Sequence, residues 1–193
     1  MLHTGIDKHK DNSFLTTVND EGTVVRQERL KNTIEAFTTY FRSFGDEKQR
    51  AVVESTTGWY WLDDLLTSLG VELILAHAKY LKAIAYAKVK TDKIDSETLA
   101  QLLRMNYIPQ AHKIDQQHRA VRDLMRARLR LVWKRTSCYN SLHRIGEKFN
   151  CDPPVIPEEN VISKELPDLY REQVALLNQQ IEVLTEQITH VEH

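Results

Sequence analysis

Cysteine is scarce in this chain of 193 residues. The two present, Cys138 and Cys151, cannot build a disulfide framework and lack the paired CxxC spacing of a zinc site, so both are expected to be buried or incidental thiols. No apolar run approaches the roughly 20 residues that span a bilayer, and the opening MLHTGIDKHK lacks a signal-peptide core. A cytoplasmic chain with no membrane contact is therefore expected. Eight histidines are scattered without an i, i+4 pair on one helix, and none is assigned to a metal. Proline is rare and concentrated in CDPPVIPEEN, residues 151–160, a stretch that cannot continue a helix and reads as a linker.

Net charge is nearly absent too, at −1, but the balance hides a segregation. Residues 79–148 carry 16 Lys and Arg against 6 Asp and Glu, and the remainder carries 10 against 21. A basic middle between acidic flanks fits a surface that binds a polyanion.

The periodicity divides the first half into short elements. Residues 2–7, 12–18 and 23–30 read as strands, the last two joined by the turn signal Asn19-Asp20-Glu21-Gly22. An amphipathic helix carries Ile34, Phe37, Tyr40, Phe41 and Phe44 and stops at Gly45. A buried-type strand at 51–55, a helix at about 57–69 ended by Gly70, and a strand at 71–76 follow. This order, antiparallel at the start and crossing over at the end, predicts an α/β fold: a mixed sheet with flanking helices. Trp59, Tyr60 and Trp61 read as packing for the second helix.

From Asp115 to about Phe149 one long helix is expected. Seven of its residues between 119 and 135 are basic, against the single acid Asp123. Arg119, Arg122, Arg126 and Arg130 fall on three-and-four spacing and line one face suited to phosphates, although a solvated surface helix is the plainer alternative. Trp133 and Tyr139 offer rings to unpaired bases, but their spacing favours the core. In the last segment Tyr170, Val174, Leu177, Ile181, Leu184, Ile188 and Val191 make a heptad seam. It fits a two-stranded coiled coil and, equally, a helix folding back on the 115–149 helix.

Four carboxylates stand apart. Asp7 ends the first strand and Glu54 the fourth, and Asp92 and Asp95 open the helix after the fifth, with Lys90 and Lys93 beside them as candidate phosphate contacts. Singly, each has a simpler role: a turn residue, a helix cap or a first-turn acid. Jointly, strand one beside strand four would bring Asp7 to Glu54, and i, i+3 spacing would aim Asp92 and Asp95 at one place. Such a cluster calls for cations, and two Mg²⁺ ions would neutralise it and serve phosphodiester chemistry.

GIDKHKD, ESTTGWYWLDDLLTSLGVELILAHAKYLKAIA and KTDKIDSETLAQLL closely resemble the N-terminal domain of the DEDD-type insertion-sequence transposases, insertion-sequence family one hundred and ten, which include the Piv and MooV DNA invertases. The resemblance runs over about residues 2–150. Its most specific piece is KTD-x-x-D, supported by E-x-T-G around Glu54, Thr57 and Gly58. It implies a RuvC-like, ribonuclease H-like fold, with Asp7, Glu54, Asp92 and Asp95 as catalytic metal ligands in Mg²⁺-dependent DNA cleavage and strand exchange. It also implies a structured guide (bridge) RNA as partner, assembly into homodimers or higher oligomers, and a prokaryotic cytoplasm. Ser96 and His77 stand where family members often have a small residue and a proline.

The family's second domain, which carries a nucleophilic serine, has no counterpart after residue 150, and the heptads run to His193 without a cap. The chain is thus expected to be a catalytically incomplete N-terminal part. The expected domains are a catalytic domain at 1–110, the long basic helix at 111–150, the linker at 151–160 and the heptad helix at 161–193. Two other readings stand beside transposition: a junction-resolving nuclease that uses water, and a non-catalytic module for RNA binding and dimerisation.

Overall fold

The structure, a computed structural model, describes residues 1–56, 58–84, 91–150 and 166–192. Thr57, Lys90, Cys151 and the proline-rich linker at 151–160 lie outside the described residues. The chain divides into two compact units, Met1–Ile114 and Asp115–His193.

The first unit is built on a five-stranded sheet of β1 (Leu2–Lys8), β2 (Asn12–Val18), β3 (Val24–Lys31), β4 (Gln49–Glu54) and β5 (Glu72–Ala76), in the spatial order β3-β2-β1-β4-β5. β1 pairs antiparallel with β2 and parallel with β4, and β4 pairs parallel with β5. This is the mixed sheet that the order of elements implied, and it has the ribonuclease H-like fold that the family resemblance implied. The turn before β3 closes with Gly22 at φ 85°, donating its N–H to Asn19 O at 3.0 Å. Helices α1 (Ile34–Arg42) and α2 (Tyr60–Ser68) follow β3 and β4, and α3 (Ala78–Ile84) and α4 (Asp92–Arg104) follow β5. The short α3 has no counterpart among the sequence expectations, because seven residues give too little periodicity to read.

Alternation along the strands sorts the side chains onto two faces. Ile6, Ala51, Val53, Leu73 and Leu75 pack with Phe37, Tyr40, Trp59, Leu62 and Leu66 of the α1 and α2 layer. Val52 and Ile74 pack with Leu81, Leu99, Leu102 and Leu103 of the α3 and α4 layer. Inside the first layer a polar chain runs from Thr4 Oγ1 to Thr17 Oγ1 (2.7 Å) and on to the Tyr40 hydroxyl (2.8 Å). Burial pushes the Tyr40 phenol up to about 12.

The second unit pairs α5 (Gln116–Phe149) with α6 (Asp168–Glu192). Arg128 meets Glu192, Arg135 Nη1 donates to Thr185 Oγ1 at 3.2 Å, and the rings of Phe149 and Tyr170 lie 4.8 Å apart. Early residues of α5 thus meet late residues of α6, so the two run antiparallel within one chain. Of the two arrangements the heptads left open, the fold-back is the one observed. Val174 and Ile181 of the seam are buried with Leu142 and Ile145. Tyr139 packs at the edge of this cluster, whereas Trp133 departs from the expectation of a core residue: it is 62 % exposed, off the face of α5 that meets α6.

Candidate metal centre

The position of α4 decides where the acids meet, and Gly5 decides the position of α4. A Cβ on Gly5 would lie 2.0 Å from the carbonyl oxygen of Ser96 and 2.5 Å from the amide nitrogen of Ala100. The helix backbone therefore rests directly on β1, an approach only glycine permits. Ser96, fully buried, bonds Thr16 Oγ1 at 2.7 Å and ties the same turn of the helix to β2. Further along, Gln101 Nε2 donates to Gly22 O at 2.7 Å and Arg104 Nη1 to Asp20 O at 3.2 Å. Helix α4 is thereby held along its length against the β2–β3 hairpin.

Asp7 shares strand parity with Gly5, so it points to the face on which α4 lies. Glu54 shares parity with Val52, which packs on that same layer. In the parallel β1–β4 ladder Gly5 pairs with Val52 and Ile6 with Val53, so Asp7 and Glu54 follow at adjacent strand ends. On α4, Thr91 is the N-cap, its side chain accepting from Ile94 N at 3.2 Å. Asp92 and Asp95 occupy the first turn. Capping is thus done by Thr91 and does not require either acid.

Asp7, His9 and Asp92 converge: each offers a ligand atom within 4.8 Å of the others. His9 Nε2 lies 3.1 Å from Asp7 Oδ2 and 3.3 Å from Asp92 Oδ1, and Arg29 Nη2 lies 3.6 Å from Asp92 Oδ2. Glu54 and Asp95 stand at the next strand end and further along the first turn of the helix, outside that three-residue group. The electrostatics tie Asp95 to Asp7 and Asp92 all the same. Burial pushes the Asp7 carboxyl up; the His9 charge and hydrogen bond pull it back, and the charges of Asp92 and Asp95 raise it. A half-buried carboxylate pressed by two others is costly as a bare anion. The carboxylate oxygens of Asp7 and Asp92 are donors of the kind a hard divalent cation takes.

His9 was not legible as part of this group. Isolated histidines carry no metal signature by helical spacing, but on extended chain positions i and i+2 share a side, and Asp-x-His in GIDKHKD was the available signal. Gly58 of the E-x-T-G stretch, at φ 80°, lies next to Lys8: a Cβ there would stand 3.0 Å from the Lys8 ammonium.

The candidate phosphate contacts fare unequally. Lys93, Arg126 and Arg130 are exposed. Arg122 is largely covered, with Nε 3.6 Å from Asp123 Oδ1. Arg119 departs from the expectation of an open phosphate contact: it is buried near the start of α5, with 6 % exposure.

A mixed sheet in this strand order with helices packed on both faces belongs to the ribonuclease H-like class of folds. Within that class, the family model of the DEDD transposases of the IS110 group, described as transposase, matches residues 4–146. The chain belongs to that transposase family. A transposase acts on DNA, so DNA binding follows from membership. None of the curated proteins matches the chain. No helix among the described residues is long and apolar enough to cross a membrane.

Proposed function

We propose that this chain supplies the DEDD catalytic centre of a DNA transposase, with Asp7, Glu54, Asp92 and Asp95 as ligands of two Mg²⁺ ions. The observation that carries the reading is the convergence of Asp7 and Asp92, 85 positions apart in sequence, on one imidazole nitrogen of His9. When bound, the ions supply Lewis-acid stabilisation of the attacking and leaving oxygens of a phosphodiester. The protein's own part is to fix the carboxylates on rigid elements: Asp7 and Glu54 on neighbouring strands, Asp92 and Asp95 on a helix seated on Gly5. Arg29, beside Asp92, is a cation available to the scissile strand. No serine of this chain is assigned as the attacking nucleophile, and the chain taken alone is not expected to complete strand exchange.

The same reading includes a structured guide RNA and a homodimer or higher assembly. Arg126, Arg130 and Trp133, spaced by four and three, make an exposed stripe of two cations and an aromatic ring, suited to phosphates and an unpaired base. Lys93, exposed on the first turn of α4, is a further candidate phosphate contact, and Lys90, outside the described residues, remains a candidate by sequence alone. Self-association is supported by Val121, Met125 and Trp133, large apolar side chains exposed on α5.

The test is recombination in cells of a plasmid carrying the element's ends, using the transposase with Asp7→Asn or Asp92→Asn. Each variant is expected to lose activity by about 100-fold or more with an unchanged circular dichroism spectrum. Wild-type recombination by either one rejects the assignment.

A further inference from the structure

The group at the end of β1 contains one member that the four-acid reading leaves without a role. We propose that His9 is itself a ligand: its Nε2 joins Asp7 and Asp92 on the divalent ion, making a mixed nitrogen and oxygen site that prefers Mn²⁺ to Mg²⁺. This inference rests on the reading of Asp7 and Asp92 as metal ligands and extends it to a residue outside the acidic motif.

The geometry points that way. Ligands at adjacent corners of an octahedron with bonds of about 2.1 Å lie about 3.0 Å apart. The separations from His9 Nε2 to the two carboxylate oxygens, 3.1 and 3.3 Å, are close to that spacing. A cation needs little movement of these three atoms to bind among them.

The backbone of His9 is also fixed independently of its ring. Its N–H donates to Asn12 O at 3.0 Å, and its carbonyl accepts from Asn32 Nδ2 at 2.9 Å and from Lys8 Nζ at 3.4 Å. These bonds hold the tight link from β1 to β2 and leave the imidazole directed at the acids. The ring is 53 % exposed, so the hairpin does not need it for packing. Arg29 approaches the group from the side of Asp92, with Nη2 3.6 Å from Asp92 Oδ2.

The preference follows from donor chemistry. Mg²⁺ takes oxygen almost exclusively, whereas an imidazole nitrogen is an accepted ligand of transition-metal ions. Replacing His9 should therefore cost Mn²⁺ more than Mg²⁺. Loss of an outer-shell partner alone typically lowers metal affinity 10–100-fold, so removing a direct nitrogen ligand should lower the preference for Mn²⁺ by at least about tenfold.

The experiment binds Mn²⁺ to the full chain and reads it by pulsed electron paramagnetic resonance, alongside calorimetric titrations with Mn²⁺ and Mg²⁺. The wild type should give the coupling of a directly bonded ¹⁴N. His9→Gln should lose that coupling and at least about tenfold of the Mn²⁺ preference, and Asp7→Asn should release the ion. Bound Mn²⁺ without a directly bonded ¹⁴N, or a coupling that persists in His9→Gln, overturns the role of His9 while leaving the carboxylates as ligands. No Mn²⁺ bound at all overturns both readings.

Discussion

Asp7 shows how one side chain can cost the fold stability while serving the site. Its carboxyl titrates higher in the folded protein than its ordinary value of 3.8, so the folded state keeps the proton longer than the unfolded chain does. Stability must then fall as pH rises from 3.8 through the raised value, and at neutral pH the ionised group is a net burden. In the absence of divalent ions, Asp7→Asn is expected to melt at a higher temperature than wild type at pH 7, with the gap closing on acidification. Thermal melts from pH 3 to 8 in chelator check this; an Asn variant less stable at pH 7 would contradict it. Among single residues, the places of the four acids at strand ends and a helix start were marked by local pattern, and the family resemblance singled them out as a set. His9 and Arg29 were not, since their roles arise from pairing across the sheet and from helix packing, which no single window contains.

At the scale of elements, the site depends on how closely α4 lies against β1. Gly5→Ala would place a methyl group against the backbone of Ser96 and Ala100, which cannot move aside as a flexible side chain can. The expected cost is about 3 kcal/mol or more, with loss of metal affinity as Asp92 is carried away from Asp7. Chemical denaturation and Mg²⁺ calorimetry of the variant test both parts, and an unchanged midpoint would refute the account of this contact. The strands were legible to within about two residues because alternation and turn residues mark them locally. The close approach itself was not, since Gly5 reads in sequence as an unremarkable strand glycine. Likewise the heptads of α6 fixed which residues form a seam, but not what it meets, because a chain's own helix and another chain's satisfy the same apolar stripe.

For the whole molecule, a total of −1 conceals a basic stretch at residues 79–148 between acidic flanks. Burial of Arg119 leaves Arg126 and Arg130 as the open members of the predicted basic face. Replacing both with Gln should weaken DNA or RNA binding roughly equally for all sequences and flatten the dependence of log affinity on log salt by about 2. Fluorescence anisotropy from low to moderate salt reads the slope, and an unaltered slope would remove α5 from the interface. The sequence showed the excess of basic residues, but not which of them the fold would bury, since that depends on packing that no single window contains.

The central claim is that Asp7 and Asp92 hold one divalent ion. Anomalous diffraction from crystals grown with Mn²⁺ tests it most directly. A peak about 2.1–2.2 Å from a carboxylate oxygen of each residue is the predicted result; well-ordered Asp7 and Asp92 side chains with no anomalous density between them would contradict it.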